Sequence, residues 1–123
     1  MRNDRVKALF DQAMDKKRGG EFVAAQAILV PLVAERPDNA KLRAALGDAF
    51  WKGEDLINAI EQFKFAVNLN PSWELISRSL FHCLWDAGKR EEAMAEMSRY
   101  LAIADSIEYR KILKAIENRN EEP

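Results

Sequence analysis

One interval governs this chain. Ala25, Ala59 and Ala93 lie 34 residues apart, and so do Leu29, Phe63 and Met97. Leu32, Ala66 and Tyr100 repeat it, as do Phe22, Leu56 and Arg90, Ala13, Gly47 and Phe81, and the pair Pro37 and Pro71. An interval of this length shared by several columns marks a tandem array of supersecondary units, each of which buries its apolar face on its neighbours.

Spacing within a unit sets its secondary structure. Leu42, Ala45, Leu46, Ala49 and Phe50 follow the i, i+3, i+4, i+7, i+8 pattern of a helix over Asn39–Lys52. The hinge Lys52-Gly53-Glu54-Asp55 breaks that helix, and Asp55 can cap the next one, which runs to about Leu69 with Leu56, Ala59, Ile60, Phe63, Ala66 and Val67 inward. Asn68-Leu69-Asn70-Pro71 ends it. The same grammar predicts helices over Asp4–Arg18 and Glu21–Glu35, hinged at Gly19-Gly20, and over Ser72–Ala87 and Arg90–Ile103, hinged at Gly88. A last helix is expected from Asp105 to about Asn118, capped by Asp105 or Ser106 and turning Ile107, Tyr109, Ile112, Leu113 and Ile116 toward the third unit.

The expected fold is therefore all-α: a right-handed superhelical solenoid of three antiparallel helix hairpins plus a C-terminal capping helix. It forms a single domain over 1–123, with units at about 6–39, 40–73 and 74–104, a capping helix at 105–118 and a tail at 119–123.

Composition removes several classes of function. Nineteen basic and 20 acidic residues nearly cancel, giving no general reason to expect nucleic acid or an anionic membrane as partner. Cys83 is the only cysteine, so an internal disulfide and a zinc ribbon are both excluded. No window is long and apolar enough to predict a membrane span, and the opening residues run straight into a charged helical pattern, so a cytoplasmic location is expected.

The columns resemble the tetratricopeptide repeat across roughly Val6 to Leu101, most specifically in the middle unit. Leu46-Gly47, Phe50, Gly53, Leu56, Ala59-Ile60, Phe63, Ala66-Val67, Leu69 and Pro71 look like the family signature, with the hinge glycine one residue early and Arg43 where tryptophan is common. In the outer units Lys16, Phe81 and Arg90 replace signature residues. The resemblance implies a scaffold that holds a peptide or protein surface in a groove lined by the first helix of each pair.

That register puts Phe10, Met14 and Lys17 on the groove in the first unit, Lys41, Asp48, Trp51 and Lys52 in the second, and Leu75, Arg78, His82, Trp85 and Asp86 in the third. Phe10, Trp51 and Trp85 are the expected apolar anchors; Lys17, Lys52 and Arg78 are the expected polar contacts. Some family members grip the C-terminal carboxylate of chaperones. Asp48 and His82 stand where that set needs asparagine, and Ala44 where it needs lysine, which argues against that mode.

The expected function is an adaptor or dedicated binding partner, of chaperone or immunity/inhibitor type, holding a segment with apolar and acidic residues. The alternative is a self-associating structural module or a piece of a larger assembly, with Leu75, Phe81 and Leu84 supporting the interface. No catalytic residue, cofactor or metal is expected. His82 and Cys83 are neighbours whose side chains point about 100° apart on a helix, and Glu92 and Glu96 read as solvated surface.

Overall fold

The computed structural model describes residues 2–121, and all regular structure among them is helical. Three antiparallel pairs follow one another: α1 (Arg2–Arg18) with α2 (Phe22–Glu35), α3 (Ala40–Lys52) with α4 (Leu56–Leu69), and α5 (Glu74–Asp86) with α6 (Arg90–Ile103). A seventh helix, α7 (Ile107–Glu121), closes the solenoid. It runs past the expected end at Asn118, so 119–121 are helical, while 122 and 123 of the expected tail lie outside the described residues.

The hinges repeat bond for bond. The Gly20 N–H donates to the Lys17 carbonyl and the Glu21 N–H to the Lys16 carbonyl; Glu54 and Asp55 do the same to Trp51 and Phe50, and Gly88 and Lys89 to Trp85 and Leu84. This is the Schellman closure, which needs one left-handed residue. Gly20 (φ 79°), Glu54 (φ 65°) and Gly88 (φ 78°) supply it, again 34 residues apart. The middle hinge glycine therefore sits beside the left-handed position rather than in it. A Cβ at Gly53 would stand 2.9 Å from the mobile amide end of Gln26 and 3.2 Å from the Ala49 carbonyl oxygen.

Helix starts follow side-chain chemistry. Asn39 and Asp55 accept from the Leu42 and Asn58 amides, and Ser106, rather than Asp105, accepts from the Tyr109 amide at 3.0 Å. Ser106 also donates to Glu74, tying the start of α7 to the start of α5.

The core follows the repeat columns. Ala25, Ala59 and Ala93 have no exposed surface, as expected where helices cross closely. Gly47 makes room for Phe63, whose ring would lie 2.8 Å from an added Cβ. In the third unit the sizes are exchanged: Phe81 occupies the glycine's column and Met97 the phenylalanine's, and both are buried in one cluster. Phe81 and Leu84 are 2% and 1% exposed, which removes them from the expected self-association surface; only Leu75 of that set is exposed.

The join to α7 breaks the repeat. Caps Asn39 and Trp73 are 34 residues apart, but Trp73 and Ser106 only 33, and no proline intervenes. Counted from its cap, Tyr109 takes the place of Leu42 and Ile76, with a larger ring and a hydroxyl.

Candidate functional site

The first helices of the pairs lie side by side, and their side chains bridge from one to the next. Across α1 and α3, Nζ of Lys17 donates to Asp48 at 2.6 Å, and Nζ of Lys52 reaches the same carboxylate oxygen at 3.1 Å. One carboxylate is thus shared by two ammonium groups. Nearer the other end of α1, Lys41 sits over the Phe10 ring, 4.8 Å from its centroid, beside a hollow of 200 Å³ that both residues line with Val6 and Leu42. Met14 is half-buried against the first cluster of the core.

From α3 to α5 the bridge is aromatic. The Trp51 indole stands edge-on to Phe63 beneath it (6.1 Å) and stacks on His82 at 6.5 Å and 11°. His82 meets the edge of Phe81 at 5.3 Å, and Phe81 stacks on Trp85 at 5.6 Å and 22°. Trp51 and Trp85 are not in contact with each other; His82 and Phe81 join them into a single row. The role of Phe81 is not visible from its column, which points only to core packing. Adjacent ring positions on one helix, read together, are the signal that finds it.

Trp85 also differs from Trp51 in its surroundings. Arg90 of α6 sits over its ring at 4.8 Å. Ile112, Ile116 and Arg119 of α7 join Phe81, His82 and Trp85 around a hollow of 240 Å³. The capping helix therefore flanks this end of the row.

Charges at the α5 end are incompletely matched. Arg78 approaches Glu74 at 4.0 Å, and its Nε is buried with no hydrogen-bond acceptor. Leu75 and Asp86 are exposed. A separate hollow of 370 Å³ lies on the other face, between α4 and α6, away from every expected groove residue.

His82 and Cys83 present the chemistry of packed groups. Burial lowers the imidazole pKa from its usual 6.5, with Asp86 opposing and Arg78 assisting. Burial pushes the Cys83 thiol up to about 12, so it stays protonated at neutral pH and is a poor nucleophile. Among the described residues no three of His, Cys, Asp and Glu are grouped to hold a metal ion, and no helix is long and apolar enough to cross a membrane.

One expectation about the carboxylates is corrected. Glu92 is exposed, but Glu96 is only 8% exposed. Ser77 donates to Glu96 at 2.6 Å and is 2.7 Å from the Tyr109 hydroxyl, while Arg99 grips the carboxylate through Nε (2.9 Å) and Nη2 (2.7 Å). Arg99 also donates to the Pro71 carbonyl at 3.0 Å. Helices α5, α6 and α7 meet at this buried network, which makes Glu96 a structural acceptor rather than solvated surface.

No protein-family model and no curated protein sequence matches the chain. Its fold, however, matches solved structures over most of its length. The Yersinia enterocolitica type III secretion translocator chaperone SycD superposes with a TM-score of 0.84 at 17% identity, over 98% of this chain and 88% of that one. The first tetratricopeptide-repeat domain of Spaghetti (RPAP3), solved with the HSP90 peptide SRMEEVD, gives 0.79 at 18% identity, over 97% of this chain and 98% of that one. A mutant form of MamA gives 0.74 at 22% identity, over 84% of this chain and 75% of that one. The chain has the tetratricopeptide-repeat fold.

Proposed function

We propose that this tetratricopeptide-repeat solenoid is a protein-binding adaptor or dedicated partner, of chaperone or immunity/inhibitor type. In this reading it holds a segment of another protein along the face formed by α1, α3 and α5. The observation that carries the reading is the pair of partly exposed tryptophans Trp51 and Trp85, joined through His82 and the buried Phe81, with cationic groups on both flanks. Rigid aromatic surfaces supply contact area at little cost in side-chain entropy, and arginine adds directional donors, so both dominate binding hot spots.

The flanking charges select the segment. Lys17 and Lys52 share Asp48, leaving one net positive charge, and the partly exposed guanidinium of Arg78 approaches Glu74 only at 4.0 Å. A segment with apolar side chains over the ring row and acidic side chains or backbone carbonyls beside it satisfies both needs.

The test is fluorescence polarisation with a panel of labelled peptides varying independently in apolar and acidic content. Peptides combining both features are expected to bind best. Trp51→Ala/Trp85→Ala is expected to abolish binding, and Arg78→Glu to reverse the preference from acidic to basic peptides, with circular dichroism unchanged. Undiminished binding by the folded double variant rejects the groove.

A further inference from the structure

The outer face of α2 is apolar from end to end. Val23, Ala27, Val30 and Ala34 fall on one helical line, and Val23 and Val30 are 75% and 49% exposed. The matching line carries Ile57, Glu61, Lys64 and Asn68 on α4, and Glu91, Ala95, Ser98 and Ala102 on α6. Polar groups interrupt both of those. An exposed apolar line of this length on a helix is normally covered, and α2 alone among the three outer helices carries one that no polar group interrupts.

We propose that α2 is the contact surface of a twofold homodimer, packed antiparallel against α2 of a second copy. The self-complementarity of the line identifies the occupant. Antiparallel pairing about its midpoint sets Val23 against Ala34 of the second copy, and Ala27 against Val30, so a larger side chain meets a smaller one at every step. The same alignment brings Glu21, at the start of α2, to the end where the second copy carries Arg36. It also opposes the two helix dipoles. Parallel pairing would instead set Val23 on Val23, Ala27 on Ala27 and Glu21 on Glu21, mismatching size and charge.

Area sets the strength. Fourteen residues of helix span about 21 Å, and one face of that length covers well under the roughly 800 Å² per partner of a standard stable interface. The dimer is therefore weak and reversible, and concentration is the variable that reveals it. Its surface lies on the second helix of a hairpin, away from the α1/α3/α5 face, so it stands independently of the groove.

Sedimentation equilibrium over a wide concentration range is expected to show the mass rising reversibly from 14.1 kDa toward twice that value. Val30→Glu should raise the dissociation constant at least tenfold with an unchanged circular-dichroism melt, whereas Trp51→Ala should leave it alone. Register is tested by mixing Ala27→Cys and Val30→Cys chains under mild oxidation: the mixed disulfide should form faster than either homodisulfide, with buried Cys83 silent. A monomer at every concentration, no effect of Val30→Glu, or faster homodisulfides would each overturn the proposal.

Discussion

Replacing Ser77 by alanine should free the capping helix before it disturbs the hairpins beneath. The Ser77 hydroxyl has no exposed surface and holds two partners, Glu96 at 2.6 Å and the Tyr109 hydroxyl at 2.7 Å. A carboxylate gripped by a guanidinium accepts only, so Ser77 spends its single hydrogen on Glu96 and Tyr109 donates to Ser77. Burial raises the Tyr109 pKa, which keeps that donor in place well into alkaline solution.

The magnitudes follow from who is stranded. Tyr109→Phe removes one hydrogen bond and leaves Ser77 still bonded to Glu96, a loss of about 1 kcal/mol. Ser77→Ala removes both bonds and leaves the Tyr109 hydroxyl buried without an acceptor, a loss of about 2–3 kcal/mol. In the double variant no hydroxyl is stranded, so its loss should fall short of the sum by about 1 kcal/mol. Urea denaturation followed by circular dichroism gives the cycle. Native-state hydrogen exchange gives its location, because a terminal element of a repeat array can open without the rest. Amides of α7 should lose protection while those of α3 and α4 keep theirs. Additive losses, or α7 exchange indistinguishable from that of the core, would show that the network does not hold the cap. The same opening would withdraw Ile112 and Ile116 from Trp85, so peptides should then gain access to that end of the ring row.

Three further outcomes test other features. Glu54→Gly should be neutral or stabilising by up to about 1 kcal/mol, because relief of a left-handed non-glycine residue is partly offset by the freedom glycine adds to the unfolded chain; Gly88→Ala, with open space around its Cβ, should cost about 1 kcal/mol from its dihedral alone. Urea midpoints decide both, and a destabilised Glu54→Gly would refute the Schellman assignment. For His82, the folded state favours the neutral imidazole, so its contribution is present above the ordinary pKa of 6.5 and is lost as pH falls through the lower folded value. With Trp73 and Trp85 replaced by phenylalanine, Trp51 emission should be quenched on acidification with a midpoint below 6.5, and His82→Gln should abolish the transition.

Much of this fold can be read from the sequence because its packing is periodic. Ala25, Ala59 and Ala93 meet the same crossing three times, so the same small side chain is required three times. The hinges are less legible. Gly53 draws the eye as the left-handed residue, yet it packs closely beside Gln26 and Ala49 while Glu54 carries the positive φ. Glycine serves close approach and unusual dihedrals alike, and composition does not separate the two.

The features that escape the repeat are those whose partners do not share its interval. Ser77 reaches Glu96 across 19 residues and Tyr109 across 32, so neither contact aligns with any column. Glu96 accordingly looks like one more acidic group on a helix exterior until Ser77 and Arg99 close on it and Tyr109 closes on Ser77. The cause is the shortened join before α7. Dropping one residue between caps places a tyrosine where the earlier units have leucine and isoleucine, and the hydroxyl it brings needs a buried acceptor. Ser77 provides one, and Glu96 with Arg99 completes the chain of bonds. The same helix sets Ile112 and Ile116 beside Trp85, whereas the neighbour that Trp51 meets on α5 is the His82 ring. Two tryptophans equivalent by repeat are thereby inequivalent in their surroundings, and the difference originates at the end of the solenoid rather than in the column they share.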